Sequence, residues 1–140
     1  MRWILLITMT AFFVGCGEAG KEAKTEANFV QRGEASFYSD KLEGRPTASG
    51  EKFSQSKITA AHRHLPLGTI ATVTHNETGQ SIKVRINDRG PFAKGRIIDL
   101  SARARDELGF DKDRGVIQVT VKAQLTPETA SKINQKLKGN

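Results

Sequence analysis

The sequence has a single cysteine among its 140 residues, and the lack of a second thiol excludes two kinds of site. One cysteine cannot form an internal disulfide, so no disulfide framework holds the fold together. One thiolate is also too few for a multi-cysteine zinc site. The three histidines, His62, His64 and His75, have no carboxylate or cysteine at a spacing that would complete a metal site. The sequence therefore predicts no bound metal.

Several motifs of common enzyme classes are also missing. No glycine-rich loop is followed by Lys-Ser or Lys-Thr and no GxGxxG occurs, so a nucleotide-dependent enzyme is not indicated. Without a GxSxG elbow, a serine hydrolase has no support either. No apolar run reaches the roughly 20 residues of a membrane-spanning helix. The 37% apolar and 26% charged fractions are instead typical of one globular domain.

The chain carries more positive than negative charge. Twenty-two Lys and Arg residues against fifteen Asp and Glu give a net charge of +7. Such a balance favours a polyanionic partner, whether nucleic acid, anionic lipid or a wall polymer. Aromatic residues are only 6% of the chain and are not interleaved with the basic positions, as they are in many nucleic-acid-binding segments. We expect no nucleic-acid partner, and the sequence indicates no obligate protein partner.

The beginning of the chain has the pattern of an export signal. Arg2 precedes an uncharged, mostly apolar run at 3–14, and Gly15 precedes Cys16. This order is typical of a lipoprotein signal peptide over 1–15, removed when lipid is attached to Cys16. The alternatives are a buried thiol or a tail-end membrane anchor. A lipoprotein signal predicts an exported protein that is anchored by lipid to a bacterial membrane. In a host with two membranes, we expect the outer membrane, with the protein facing the periplasm.

The rest of the chain is predicted to be a tether and one β-rich domain. Residues 16–32 have few large apolar side chains, which predicts a flexible tether. Within 33–124, short segments alternate apolar and polar residues or are rich in β-branched residues, as half-buried strands are. Segments of this kind lie at 33–38, 69–75, 81–87 and 117–121. Short strands with little helix between them predict a compact β-barrel.

Two helices are predicted from their end signals. Ser101 can cap the start of the first and Gly109 can end it. The second lies within 125–140, with Pro127 in its first turn. No second domain is predicted.

Three polar, turn-rich stretches carry a resemblance to a known family. They are GRPTASGEKF at 44–53, KITAAHRHLPLGT at 57–69 and RINDRGPFAKGRIIDLS at 85–101. In this order they resemble the rare lipoprotein A (RlpA) family, over 33–122. The resemblance implies a mainly β fold, a single six-stranded double-psi β-barrel related to that of the expansins. Many family members add a C-terminal glycan-binding repeat domain, and none is expected within 125–140.

The resemblance also implies an activity. Active members of the family are lytic transglycosylases, which cut the bond between N-acetylmuramic acid and N-acetylglucosamine and leave 1,6-anhydro ends. This activity serves wall remodelling or daughter-cell separation. Carried over by motif, Asp88 is the catalytic acid, Glu51 is the second essential carboxylate and His62 lines the same cleft. The reaction implies no cofactor.

The residues themselves leave alternatives open. Asp88 has the strand parity of buried residues, but its surroundings, Asn-Asp-Arg-Gly-Pro, also suit an Asx turn. A lone Glu51 would be a solvated charge, yet glycosidic cleavage uses two carboxylates. His62 is predicted to hydrogen-bond a cleft carboxylate or the sugar. Further substrate-binding candidates are Tyr38 and Phe92, which could form a platform for a sugar, and Arg45 and Arg89, which could face glycan carboxylates. The chief rival function is an expansin-like lipoprotein that binds peptidoglycan without cutting it.

Overall fold

The computed structural model describes residues 27–139. The predicted signal peptide, the lipidation site Cys16 and most of the predicted tether lie outside this range. Within residues 27–139, no helix is both long enough and apolar enough to cross a bilayer.

Six strands close into one barrel, as predicted. They are β1 (Phe29–Phe37), β2 (Thr59–His62), β3 (Ile70–His75), β4 (Ser81–Asp88), β5 (Arg96–Leu100) and β6 (Ile117–Ala123). Their order around the barrel is β1-β5-β2-β4-β3-β6, and β6 pairs with β1 to close it. The pairs β1–β5 and β2–β4 are parallel, and the other four pairs are antiparallel. The prediction of a mainly β, six-stranded barrel is confirmed.

Apolar side chains that alternate along the strands form the core. In β4, Val84 and Ile86 are buried, and in β6 Val119 and Val121 are buried, because every second side chain of a strand points to the same face. Inward-facing residues of all six strands meet in this way in one cluster. The core therefore has the period-two pattern read from the sequence.

The first strand begins earlier than predicted. The sequence placed residues 29–32 in the tether, but β1 starts at Phe29, which is fully buried. Val30 and Gln31 continue the antiparallel ladder opposite Lys122 and Val121. The predicted boundary between tether and domain at residue 32 was therefore wrong. Pairing with β6 extends β1 to residues that alternate only weakly between apolar and polar.

Two helices pack outside the barrel, where the sequence predicts them. The first, α1 (Ala102–Leu108), is capped by Ser101, whose Oγ accepts a hydrogen bond from the backbone N–H of Ala104 at 3.2 Å. Gly109, with φ +74°, ends this helix in the left-handed region. The second, α2 (Pro127–Lys138), buries Ala130 and Ile133.

Candidate active site

The loop at 47–51 folds back against the end of β4. Within the loop, the N–H of Thr47 donates to the carbonyl of Glu51 at 2.8 Å, and the N–H of Gly50 donates to the carbonyl of Thr47 at 3.0 Å. Gly50 has φ +87°, a conformation that favours glycine. The N–H of Ser49 then donates to the carbonyl of Asn87 at 3.1 Å. Residues 47–51 and the end of β4 thus form one hydrogen-bonded unit.

Asp88 ends β4 and lies half-buried beside this loop. Its Oδ1 accepts hydrogen bonds from the backbone N–H groups of Ala48 at 2.9 Å and Arg89 at 2.8 Å. Its Oδ2 accepts one from the hydroxyl of Tyr38 at 3.0 Å. Two of these three donors come from distant parts of the chain, which a purely local Asx turn would not involve. The three bonds fix the orientation of the carboxylate.

Tyr38 follows β1 and is held on both of its ends. Its ring packs against Phe53, with centroids 4.4 Å apart, while its hydroxyl contacts Asp88. Burial, together with the negative charge and the hydrogen bond of Asp88, raises the pKa of the Tyr38 hydroxyl above its usual range. Tyr38 therefore remains a proton donor toward Asp88 across the physiological pH range. Its use as a sugar platform stays a prediction.

Glu51 is paired with an arginine of β4. Nη1 and Nη2 of Arg85 contact Oε1 and Oε2 of Glu51 at 2.7 and 3.1 Å, a two-point contact. The hydrogen bond from Arg85, a second from Asn87 and the positive charge of Arg85 lower the pKa of Glu51 to about 2. Glu51 is therefore ionised at any physiological pH and cannot supply a proton.

Arg89, the arginine beside Asp88, does not pair with that carboxylate. Its Nη1 donates to the backbone carbonyls of His62 at 3.1 Å and Leu65 at 2.7 Å. Among the described residues, no Lys, Arg or His side chain forms an ion pair with Asp88. The guanidinium of Arg89 thus ties the segment after β2 to the end of β4.

The other two predicted contact residues are exposed and belong to the segments that carry the carboxylates. Phe92 is 79% exposed and follows Asp88 by four residues. Arg45 is exposed in the hairpin that ends at Phe53, where its carbonyl accepts a hydrogen bond from the N–H of Phe53 at 2.7 Å. Both positions leave the side chains accessible to a ligand.

His62 does not hydrogen-bond a cleft carboxylate, so that half of the prediction was wrong, and a hydrogen bond to the sugar stays a prediction. The side chain is only 1% exposed and packs edge-on against Phe29. Its Nδ1 accepts hydrogen bonds from the N–H groups of His64 and Leu65, both at 3.1 Å. Nε2 therefore carries the proton and donates to Oε1 of Gln31 at 2.9 Å. Parity along the four-residue strand β2 could not reveal this, because all four of its residues are buried.

Burial keeps this imidazole neutral. Desolvation, reinforced by the positive charges of His64, Arg89 and Arg63, lowers the pKa of His62 to about 3. At neutral pH the ring therefore orders the backbone after β2 as an uncharged acceptor and donor.

Two further residues matter to the site. Asn87 is buried, and its side chain contributes a hydrogen bond that lowers the pKa of Glu51. Arg63 holds the loop after Asp88, since its Nε donates to the carbonyl of Pro91 at 2.5 Å and its Nη2 to that of Ala93 at 2.9 Å. The polar motif around Asp88 was the sequence feature that could have pointed to Asn87 as a site residue. No sequence pattern identified Arg63, because its acceptors are backbone carbonyls about 30 residues away.

The sequence that forms this closed mixed barrel matches a known family. The family model described as "Lytic transglycolase" matches residues 30–121. The chain belongs to this family, and its barrel is of the double-psi type.

Two curated relatives are similar to the same region. The "Probable endolytic peptidoglycan transglycosylase RlpA" of Synechocystis is 55% identical over 81 residues, which are 58% of this chain and 25% of the relative. The "Endolytic peptidoglycan transglycosylase RlpA" of Haemophilus influenzae is 43% identical over 106 residues, 76% of this chain and 36% of the relative. The chain thus spans only about a quarter to a third of the length of these relatives.

Two solved structures share the fold. The Streptomyces papain inhibitor has a TM-score of 0.57 and 26% identity, covering 71% of this chain and 97% of the inhibitor. The expansin of Clavibacter michiganensis has a TM-score of 0.54 and 23% identity, covering 71% of this chain and 52% of the expansin. The double-psi barrel implied by the sequence resemblance is confirmed.

Proposed function

We propose that this protein is a peptidoglycan lytic transglycosylase with Asp88 and Glu51 as its two carboxylates. The observation that carries the proposal is the different surroundings of these groups. Glu51 is held ionised by Arg85, whereas Asp88 has no cationic partner among the described residues and accepts hydrogen bonds from Tyr38 and two backbone N–H groups. Glycosidic cleavage uses two carboxyl groups in different roles, one as a charge and one as the proton donor, and we assign these roles to Glu51 and Asp88. The family and the names of the relatives support the same reaction class.

The reaction uses Asp88 twice. Its protonated form gives the proton to the glycosidic oxygen between N-acetylmuramic acid and N-acetylglucosamine, and the bond from C1 to that oxygen breaks. The negative charge of Glu51 stabilises the oxocarbenium-like state at C1. The carboxylate of Asp88 then takes the proton of the C6 hydroxyl of N-acetylmuramic acid. The C6 oxygen bonds to C1 of the same sugar. The products are a free N-acetylglucosamine hydroxyl and a 1,6-anhydro end, with no water consumed and no cofactor needed.

The substrate and location follow from the same proposal. Peptidoglycan glycan strands are the polymer acted on, during wall remodelling or daughter-cell separation. The net charge of +7 favours attraction to such an anionic polymer. The protein is exported and held at a membrane through lipid on Cys16, in the outer membrane where the host has one. The order of residues 1–16 supports this placement.

Product analysis tests the activity directly. Purified glycan strands incubated with the wild-type protein should yield 1,6-anhydro-N-acetylmuramic ends, which mass spectrometry separates from hydrolysed ends by the mass of one water. Asp88→Asn should lower the rate by at least about 100-fold, as expected when a general acid is lost. Asp113→Asn serves as the matched control, because Asp113 is an exposed aspartate in the segment between α1 and β6.

Two results would contradict this reading. Hydrated ends would mean an ordinary hydrolase. No new ends, with glycan binding retained, would favour the expansin-like rival that binds without cutting.

The anchor has its own test. Cys16→Ser should prevent lipid labelling and release the protein from the membrane fraction, because each buried CH₂ of an acyl chain contributes about 0.8 kcal/mol to anchoring. Unchanged labelling in that variant would remove the lipoprotein proposal without affecting the catalytic one.

A further inference from the structure

A second cavity lies away from the two carboxylates. It has a volume of about 200 Å³ and is bordered by the beginnings of β1 and β5, the segment after β2 and the end of α2. Of the residues expected in the catalytic cleft, His62 lines this cavity, whereas Glu51, Asp88 and Tyr38 do not. The catalytic proposal therefore gives this cavity no role.

The cavity contains one buried hydrogen-bond donor that has no acceptor among the described residues. Nε of Arg96, a lining residue, is buried and has no hydrogen-bond partner among residues 27–139. A buried N–H without an acceptor costs free energy, so such groups usually mark a site for a missing partner. Gln31, another lining residue, uses its amide oxygen to accept from His62, which leaves its NH₂ group as a further donor.

The charge around the cavity is positive. Arg63 and Arg96 line it as cations, and no Asp or Glu is among the lining residues that the structure describes. His64 also lines it, but burial lowers the pKa of its ring, which is therefore uncharged at neutral pH. The carboxylate of Glu34 lies beside Gly95 at the edge, yet the ion pairs of the described chain do not include a Glu34–Arg96 contact. Because Arg63 is already bonded to backbone carbonyls, Arg96 is the cation available to a ligand.

The remaining wall is apolar. Ile97 and Leu137 line the cavity and are both only partly exposed. A ligand that fills the cavity must therefore present an anionic group toward Arg96 and Gln31 and a short hydrocarbon group toward Ile97 and Leu137. Bare phosphate or sulfate would leave the apolar wall uncovered.

We propose that this cavity binds a carboxylate attached to a short alkyl branch, with Arg96 as its principal partner. Peptidoglycan offers this chemistry in two places, the lactyl carboxylate of muramic acid and the terminal carboxylate of an alanine-ended peptide. Peptidoglycan as the source rests on the proposed function, whereas the binding of the carboxylate does not.

Nuclear magnetic resonance of the protein labelled with ¹⁵N tests the proposal. The probes are N-acetylmuramic acid, which carries the lactyl group, and N-acetyl-D-alanine, with uncharged N-acetylglucosamine as the control ligand. At least one carboxylate probe should shift the Arg96 Nε–H signal and the backbone amide of Ile97 in a saturable way. The probe that does so identifies the source.

Variants at Arg96 make the test specific. Arg96→Met should weaken binding at least about tenfold, judged from the Ile97 amide, because a charge-assisted hydrogen bond is lost. Arg96→Lys keeps the charge but not the Nε–H, so its affinity should lie between those of the wild type and Arg96→Met. If Arg96→Met does not fold, the affinity of Arg96→Lys tests the proposal instead. Lys122→Met, which removes one exposed charge from β6, should bind as the wild type does.

The outcomes that overturn the proposal are distinct from failure of the catalytic one. Absence of a saturable shift with both carboxylates, an equal shift with N-acetylglucosamine, or wild-type affinity in the folded Arg96 variants would each refute it. Asp88→Asn should bind the probes as the wild type does, since Asp88 does not line the cavity. A wild-type protein that binds the probes but produces no new glycan ends would refute only the proposed function.

Discussion

The hydroxyl of Tyr38 donates a hydrogen bond to Oδ2 of Asp88 over 3.0 Å. Tyr38 follows β1 and Asp88 ends β4, and two strands separate β1 from β4 in either direction around the barrel. The bond therefore joins strands that are not neighbours, across the end of the barrel. It positions the proposed acid against the loop that carries Glu51.

Removing only this hydroxyl should impair the reaction more than the fold. Tyr38→Phe keeps the ring packed on Phe53 and deletes one donor to Asp88. A hydrogen bond of this kind contributes about 0.5–1.5 kcal/mol, so we expect turnover to fall about two- to twelvefold. Steady-state kinetics on glycan strands would measure this fall. Tyr38→Leu, which also loses the ring, should be clearly less stable to urea than Tyr38→Phe, and equal stability of the two would contradict the packing role.

The pH dependence of Glu51 should depend on Arg85. With Arg85 present, the pKa of Glu51 is about 2, against an ordinary value of 4.5. In Arg85→Met the pKa should rise toward 4.5, because the largest cause of the lowering is removed. ¹³C titration of the Glu51 carboxylate would measure it. The activity of this variant should also fall between pH 6 and 4 relative to that of the wild type, and parallel profiles would argue against a role for the Glu51 charge.

The same pair should make only a small difference to stability. Since the folded pKa of Glu51 is lowered, its contribution is present above about pH 4.5 and is lost as the pH falls toward 2. Both side chains are partly exposed, 37% for Arg85 and 28% for Glu51, so screening limits the pair to at most about 1 kcal/mol. Urea unfolding of Glu51→Gln at pH 7 should show a loss no larger than this, while its turnover drops strongly.

His62 should make the fold acid-sensitive. Its folded pKa of about 3 lies below the ordinary 6.5, so its contribution is complete above about pH 6.5 and is lost as the pH falls toward 3. As the pH falls, the unfolded chain binds a proton at His62 before the folded chain does. The free energy of unfolding therefore falls by up to about 1.4 kcal/mol per pH unit. His62→Asn offers Oδ1 in place of Nδ1 but cannot titrate. Urea unfolding between pH 7 and 4 should therefore give a shallower slope for this variant, and an equal slope would assign the acid sensitivity to other groups.

Phe92 should affect substrate affinity alone. Its side chain is 79% exposed, so Phe92→Ala should change the free energy of unfolding by less than about 0.5 kcal/mol. If the ring stacks on a sugar, KM should rise several-fold with kcat little changed. Leu67→Ala is a suitable control, because Leu67 is also an exposed apolar residue. Equal effects of the two substitutions would leave no specific role for Phe92.

The sequence was sufficient for most of the fold. Period-two alternation in β4 and β6 predicted strands because one face of each is buried, and this pattern is local. Ser101, Gly109 and Pro127 predicted the helix ends for the same reason, since capping depends on a few adjacent residues. The start of β1 was missed because Val30 and Gln31 are held by pairing with β6, almost a hundred residues away.

The candidate site divides in the same way. The motifs around Glu51 and Asp88 predicted the two candidate carboxylates from the sequence, through a family resemblance carried by contiguous residues. Only the tertiary structure decided their surroundings, because the partners come from other segments: Arg85 for Glu51, Tyr38 and Ala48 for Asp88, and Gln31 for His62. Burial and charge act through space, so the ionised state of Glu51 and the neutral state of His62 follow from the closed barrel and not from spacing along the chain.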